Sequence, residues 1–390
     1  MKTIIVRLKE KTYRVFAGAG LLSRAGSMLK KALKGRRVLV VTNRDIYRLH
    51  GRKLIKSLSA HFTVFVHFMP DGEEHKNLRA VEGIYRAALK AGIDRSSAII
   101  AFGGGVVGDT AGFAAATYMR GIALVQIPTT LLAQVDSSIG GKTGVDLKEG
   151  KNLAGAFYHP EAVIADSLVL ETLSEREFKN GLVEAVKYGF IMDRPFFDFI
   201  RKNRKKILSR NPGVISKIVA ASAADKAAIV EKDEKEKSGV RAILNYGHTI
   251  GHALEAESGY RGLKHGEAVA LGMAAAAVIA YNTGYCGKRV LIDQINMLNA
   301  LNLLKPLKKP GISNIIKRLY SDKKTLNGKI RFVLTKRIGC ANLVKSVNKN
   351  GIKRALEVLS RFRGRKEEVL YGGRYTGRNR GAEEKAFTKP

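Results

Sequence analysis

Along the first part of the chain, short apolar runs alternate with stretches whose apolar positions recur at helical spacing. Residues 3–8 and 11–16 alternate apolar and polar side chains, which predicts two short strands with a turn at Lys9-Glu10. Leu21 to Leu33 predicts a helix. Arg37 to Thr42 reads as a buried strand, followed by Asn43-Arg44-Asp45 and a helix to about Ser59. Thr63 to Phe68 is another strand, ending at Pro70-Asp71-Gly72-Glu73-Glu74-His75-Lys76, where a helix begins. Ala98 to Phe102 and Ile122 to Ile127 are further buried strands. Strand, helix, strand, helix is the rhythm of a parallel sheet, and ligands of such sheets bind where the strands end. That places a ligand at loops 42–45, 71–76, 103–109 and 128–130.

From about Ser174 the pattern becomes helical, over 174–192, 195–208, 213–232, 243–258, 266–283, 288–302, 311–320 and 348–362. Only Ile330 to Leu334 reads as a late strand. The expected architecture is an α/β N-terminal nucleotide-binding domain with a parallel sheet over 1–173, and a mostly α-helical C-terminal domain over 174–363. Residues 364–390 are charged, contain glycine and lack an apolar period, so they are expected to be a disordered tail. No internal repeat is present.

Composition narrows the functional class. The chain has 390 residues, 45% of them hydrophobic, which suits packed cores and argues against wholesale disorder. Its two cysteines are too few for a disulfide framework, and the amino terminus leads into strand-like sequence rather than a signal peptide. A reducing, cytoplasmic setting is expected. The longest apolar block, Ala268 to Ala280, is too short to span a bilayer, so no membrane is expected as a partner. The formal net charge of +35 invites a nucleic-acid reading. The basic residues are spread along the chain, however, and no RNA-binding or helix-turn-helix signature accompanies them. A solvated basic surface that draws in anionic substrates fits better, with no specific nucleic acid as a partner.

Chemistry concentrates in two places. The apolar run Ala98–Phe102 leads into Gly103-Gly104-Gly105-Val106-Val107-Gly108-Asp109 and then helical sequence, which brings backbone N–H groups against a phosphate. Gly103, Gly105 and Gly108 fit G-x-G-x-x-G, a weak signal alone. The next strand ends in Pro128-Thr129-Thr130 rather than an acidic residue, so a standard ribose contact is not supported. Asp136, Lys142, Lys151 and Asn152 follow within some twenty positions, a composition suited to an anionic ligand. The second place is helical. His248 and His252 lie four apart, Glu255 about one turn on, and His265-Gly266-Glu267 precedes the alanine-rich helix. Glu184 and Lys187 lie three apart on an earlier helix, and Lys226, Asp233, Glu236, Arg241 and Asn245 crowd the stretch before the histidines. A histidine pair with a carboxylate is a catalytic zinc ligand set, which takes three protein ligands and keeps one place open; spacing does not select which three.

Taken together, these motifs resemble the 3-dehydroquinate synthase family. They are Gly72–Lys76, Gly103–Asp109, Tyr118-Met119-Arg120-Gly121, Gln126–Ser138, Gly140–Gly144, Gly150-Lys151-Asn152, Glu184–Gly189, Asn245–His252, His265-Gly266-Glu267 and Asp322-Lys323-Lys324. They run in the family's order over roughly residues 1–360. The resemblance implies NAD, recycled within each turnover, one divalent metal ion (zinc or cobalt), a homodimer, and an anionic sugar phosphate as substrate. The reaction it implies converts 3-deoxy-D-arabino-heptulosonate 7-phosphate to 3-dehydroquinate and phosphate in the shikimate pathway. It proceeds by transient oxidation, phosphate elimination, re-reduction and intramolecular aldol closure. Metal ligands carry over to Glu184, His248 and His265. NAD contacts carry over to Asp71, Gly72, Glu73, Glu74, His75, Lys76, Gly105, Val106, Val107, Gly108, Asp109, Thr129, Thr130, Lys142, Lys151, Val169, Leu170, Glu171 and Thr172. Substrate and catalytic contacts carry over to Asp136, Lys142, Asn152, Lys187, Lys226, Glu236, Arg241, Asn245, His252 and Lys324 or its neighbour Lys323, with Arg120 reaching the phosphate, also across a dimer interface. The alternatives are another sugar phosphate cyclase of the same superfamily, a polyol-phosphate dehydrogenase with net NADH turnover, and a basic nucleic-acid-binding protein.

Overall fold

The computed structural model describes residues 1–259, 262–307, 311–321, 330–345 and 347–362. Lys323, Lys324 and the 364–390 tail lie outside the described residues. The chain forms two compact units, Met1–Leu244 and Asn245–Pro390.

The first unit begins with strands β1 (Lys2–Arg7) and β2 (Thr12–Gly18), joined by a turn in which the Leu8 amide donates to the Lys11 carbonyl. Helix α1 (Ala25–Leu29) is far shorter than the pattern over Leu21–Leu33 predicts. A 3-10 turn at Leu22–Arg24 precedes it, and the Gly26 face presses on the Ser57 carbonyl, so little room is left for a longer helix. Then come β3 (Arg37–Thr42), α2 (Arg44–Ile46), α3 (Arg52–Ser59), β4 (Thr63–Phe68), α4 (Leu78–Lys90), β5 (Ala98–Gly103), α5 (Gly105–Thr117) and β6 (Ala123–Pro128). A hairpin of β7 (Lys142–Leu147) and β8 (Gly150–Phe157) follows, and then β9 (Ala162–Asp166). Helices α6 (Glu175–Ile191), α7 (Arg194–Leu208) and α8 (Pro212–Lys232) complete the unit.

The seven-stranded sheet has the order β1-β2-β9-β6-β5-β3-β4. Only the β1–β2 pair is antiparallel; the other pairs are parallel. The chain passes outward from β3 to β4 and then returns to the other side of β3 as β5. The carboxyl ends of β3 and β5 therefore flank a switch point, where an open parallel sheet leaves a crevice for a ligand. All six residues of β5 are buried, so its run is continuously apolar rather than alternating. The helical sequence from Ser174 onward is not one separate body. Helix α8 packs on β1 and β2, and α6 and α8 both pack on the π-turn Ala133–Ser137. Compactness therefore divides the chain about seventy residues later than the change in pattern.

The second unit is built on α10 (His265–Asn282), whose residues from Gly266 to Ala280 are all buried. Around it lie α9 (His248–Glu257), α11 (Lys288–Ala300), α13 (Lys349–Arg361) and the pair β10 (Phe332–Arg337) with β11 (Cys340–Val344). Helix α12 (Ile312–Ser321) packs on α9 and α13. The helix expected over 243–258 is broken. Gly247 takes φ +79°, and α9 starts only at His248. A left-handed residue there suits glycine alone, because any Cβ would also lie 2.5 Å from Met273 Cγ.

Candidate active site

The site is built outward from β5. Gly104 caps α5 in extended conformation without any side-chain hydrogen bond, leaving the first amides of the helix facing the crevice. The glycines here serve close approach rather than unusual torsion. A Cβ on Gly103 would lie 2.5 Å from Val107, and one on Gly108 2.9 Å from Gln126 Oε1. Gln126 in turn donates to the Gly108 carbonyl at 3.0 Å, locking α5 against β6. The Thr129 amide donates to the Gly103 carbonyl, and Thr130 Oγ1 accepts the Ala133 amide at 3.2 Å. At the end of β3, Asn43 donates through Nδ2 to Asp71 at 2.8 Å, tying the 71–76 loop to the switch point.

Lys76 is buried and bridges two elements, bonding Asp109 Oδ2 and Asn152 Oδ1, each at 2.6 Å. Burial alone would pull its ammonium down, but the carboxylates of Asp109, Glu73 and Asp146 win and hold it above the ordinary lysine range. Asn152 sits at φ +55°, its amide held by Asp146 Oδ1 at 2.7 Å. Lys151 reaches Glu73 at 3.1 Å. Thus the hairpin, the 71–76 loop and α5 are knitted by charge-assisted bonds.

A second knot lies on the π-turn. Lys226 of α8 donates to both the carboxylate and the carbonyl oxygen of Asp136, each at 2.6 Å, and the Tyr188 hydroxyl donates to the same carboxylate at 3.2 Å. Burial would raise the Asp136 carboxyl, but the Lys226 and Lys187 ammonium groups overcome it and hold it at about 2. Lys187 pairs with Glu184 one turn before it on α6, at 2.5 Å, both almost fully buried. Exposed Lys142 meets Glu236 at 2.6 Å, and Glu236 also lies 3.5 Å from Nε of Arg241. Arg241 is buried, donating to the Glu234 carbonyl at 2.8 Å while its amide bonds Asp233 at 3.1 Å.

These groups surround a cleft of about 490 Å³ within the first unit. Of the residues expected from the sequence, Asp109, Asp136, Lys142, Asn152 and Lys226 line it. Ser137, Thr143 and Gly144, which lie in the family motifs but were given no role, line it as well, as does Leu153 of the hairpin, which was not anticipated. Tyr188 and Asn43, which hold Asp136 and Asp71, were likewise missed; Asn43 was legible only as part of the loop at 42–45. Outside its lining are the expected 71–76 loop, Gly105–Gly108, Thr129, Thr130, Lys151, Lys187, Glu236 and Arg241, as well as the 169–172 turn and Arg120. Val169 and Leu170 are buried in the core, in a 3-10 turn capped by Asp166, with Thr172 Oγ1 bonded to His50 at 2.8 Å. Arg120 is exposed on a turn where Met119, Arg120 and Gly121 all have positive φ.

In the second unit, the rings of His248, His252 and His265 cluster with centroids 5.4, 5.2 and 6.0 Å apart. The cause is the crossing of α9 and α10. A Cβ on Gly272 would lie 1.9 Å from the Gly247 carbonyl, and one on Gly251 about 3.2 Å from Val269, so the two helices meet backbone to backbone. The Nδ1 of His248 faces the Tyr246 carbonyl at 3.1 Å, and that of His265 faces Glu255 at 3.3 Å. In the tautomer with Nδ1 protonated, Nε2 of each ring carries the lone pair, the donor a divalent cation takes. The donor chemistry of this cluster fits a metal ion.

Residues 66–180 match the sequence model of the 3-dehydroquinate synthase N-terminal region, and residues 181–325 that of the 3-dehydroquinate synthase C-terminal region. The chain belongs to the 3-dehydroquinate synthase family. The 3-dehydroquinate synthase of Geotalea uraniireducens (strain Rf4) is 47% identical over 340 residues, covering 87% of this chain and 94% of that one. The 3-dehydroquinate synthase of Pelotomaculum thermopropionicum is 45% identical over 364 residues, covering 92% and 96%. Among solved structures, a 2-deoxy-scyllo-inosose synthase complexed with carbaglucose-6-phosphate, NAD+ and Co2+ superposes with a TM-score of 0.84 at 28% identity, over 92% of this chain and 99% of that one. A 2-epi-5-epi-valiolone synthase from Streptomyces hygroscopicus subsp. jinggangensis 5008, with NAD+ and Zn2+ bound, gives 0.81 at 29%, with the same coverage. The parallel-sheet domain and the helical C-terminal part are what the pattern of apolar positions led one to expect, and the family is the one its motifs resemble.

Proposed function

We propose that the chain is a 3-dehydroquinate synthase, a carbon–oxygen lyase that converts 3-deoxy-D-arabino-heptulosonate 7-phosphate to 3-dehydroquinate and phosphate. The observation that carries this reading is the cleft of about 490 Å³ between α5, the hairpin and α8, in a chain of this family. Bound NAD supplies reversible hydride acceptance, and a bound zinc or cobalt ion supplies Lewis acidity at adjacent hydroxyls.

The nucleotide site comprises the 71–76 loop, Gly105–Asp109 at the helix amino terminus, Thr129, Thr130, Lys142, Lys151 and the 169–172 turn. Helix α5 contributes partial positive charge to a pyrophosphate, while Lys76 holds Asp109 and Asn152 in place around it. Glu184, His248 and His265 are the metal ligands, and His252 works on substrate. Asp136, Lys142, Asn152, Lys187, Lys226, Glu236, Arg241 and Asn245 bind and orient the substrate, with Lys324 and Arg120 completing the set. The substrate is a flexible polyanion, so the main work of these side chains is to hold it in one reactive conformation. Lys226 and Lys142 meet its negative charge, and burial of Arg241 and Lys226 keeps those charges out of water, where they act more strongly. The enzyme works as a cytoplasmic homodimer in which exposed Arg120 reaches the phosphate of a neighbouring site. Two free cysteines fit a reducing compartment, and no described helix is long and apolar enough to cross a membrane.

The test is an assay of purified protein with the heptulosonate phosphate and catalytic NAD, following phosphate release and NADH absorbance together. Phosphate should appear without net NADH. Stoichiometric NADH would replace this reading with a dehydrogenase. Turnover of a hexose 6-phosphate but not of the heptulosonate would favour another cyclase, which the likeness to the inosose synthase makes the second reading.

A further inference from the structure

Two of the three clustered histidines have their Nδ1 atoms occupied by acceptors of different charge. His248 faces a neutral backbone carbonyl, that of Tyr246, at 3.1 Å. Tyr246 is itself fully buried, its hydroxyl bonded to Gln294, and Gln294 Nε2 donates to Thr335 at 2.9 Å. His265 instead faces a carboxylate, Glu255 Oε2, at 3.3 Å. The Glu255 side chain is only 11% exposed and sits one turn after His252 on α9, a helix packed on α10 and α12. Burying a carboxylate costs several kcal/mol unless it is paired, and the ring of His265 is a partner within hydrogen-bond distance.

We infer that Glu255 is a positioning residue that fixes the tautomer and raises the donor strength of His265. This rests on the proposed role of His265 as a metal ligand. With the proton held on Nδ1 by the carboxylate, Nε2 carries the lone pair in a set direction, and the negative charge makes it a stronger donor than its counterpart on His248. Glu255 thus acts through His265 without touching the ion. The donor atoms of His252, Glu255 and His265 also lie within 4.8 Å of one another, so direct ligation by Glu255 is the competing arrangement. The two differ in what an amide at this position does. A glutamine retains an acceptor oxygen for Nδ1–H, but it is a far poorer metal ligand than a carboxylate.

The experiment measures zinc affinity by chelator competition on the full chain for the parent, Glu255→Ala, Glu255→Gln and His265→Ala. Cobalt-loaded absorption spectra and NAD affinity accompany it. Glu255→Ala should weaken zinc binding roughly 10- to 100-fold. Glu255→Gln should recover most of that loss, with a shifted cobalt band and unchanged NAD affinity, and His265→Ala should lose the metal. A Glu255→Gln protein as deficient as His265→Ala would make Glu255 a ligand and overturn the inference. Affinity within a factor of two of the parent in both Glu255 variants, with an unmoved cobalt band, would also overturn it while leaving His265 as a ligand. Parent-like zinc affinity in His265→Ala would instead overturn the metal assignment itself, and this inference with it.

Discussion

At the scale of single residues, the cleft carries cations paired with carboxylates. Lys142 and Lys226 illustrate two grades of this. Lys226 is buried and bonded twice to Asp136, so removing it strips that partly buried carboxylate of its nearest cation and costs stability. Lys142 is half-exposed, and its bond to Glu236 is a surface ion pair worth little to the fold. Lys142→Ala should therefore lower kcat/KM roughly 30- to 1,000-fold, as loss of a charge-assisted contact in the transition state does, with almost no change in thermal midpoint. Kinetics within twofold of the parent would remove Lys142 from the site. These polar residues were legible from sequence, since Asp136, Lys142 and Asn152 fall in recognisable motifs and Lys226 in the polar stretch before the histidines. Their partners were not. Tyr188 and Asn43 lie in a family motif and a ligand loop, but they carry no charge and make their bonds only through folding, so their individual roles were not readable.

At the scale of elements, periodicity located the strands of the sheet and most of the helices, because their apolar faces repeat at the period of the structure they adopt. It passed over the hairpin β7–β8, read as a ligand loop. That hairpin is rich in glycine and poor in β-branched residues, and its stability comes from packing on α5: a Cβ on Gly112 would lie 2.5 Å from Thr143. The α9–α10 crossing is decided in the same way, by backbone contact that no pattern of apolar positions encodes. Gly272→Ala tests it. Alanine would favour an isolated helix by about 1 kcal/mol, but its methyl group would meet the Gly247 carbonyl at 1.9 Å. Overpacking of this kind costs about 1–3 kcal/mol, so the clash should prevail. Chemical denaturation should show net destabilisation, and metal content should fall because His248 and His265 move apart. A variant of parent stability with full metal would mean that the crossing tolerates the methyl group.

At the scale of the whole molecule, two aspartates should shape stability against pH in opposite senses. Burial and the neighbouring Asp193 carboxylate push Asp225 up to about 7. The native state then binds more protons there than the unfolded chain from about pH 4 to about pH 7, so stability falls as pH rises through that window, by on the order of 2–4 kcal/mol. Asp136, held at about 2 by Lys226 and Lys187 against its burial, works the other way. Its contribution is present above about pH 4 and is lost as pH falls towards about 2, by on the order of 2 kcal/mol. Urea unfolding across this range should find Asp225→Asn more stable than the parent at pH 8 and equal to it near pH 4. An unchanged difference between the two proteins at both ends would show that Asp225 does not titrate as its surroundings require.

The order of strands and helices, the glycine turn into α5, the histidine spacing and the family itself follow from the sequence alone, because each is a local or ordered feature of the chain. What the tertiary structure decided is different in kind. The sheet order put β3 and β5 side by side and so made the switch point; α8 joined the sheet unit instead of the later helices; Gly247 and Gly272 met backbone to backbone and gathered the histidines. Each of these depends on contacts between residues far apart in the chain, where packing volume and the pairing of buried charges outweigh any local preference.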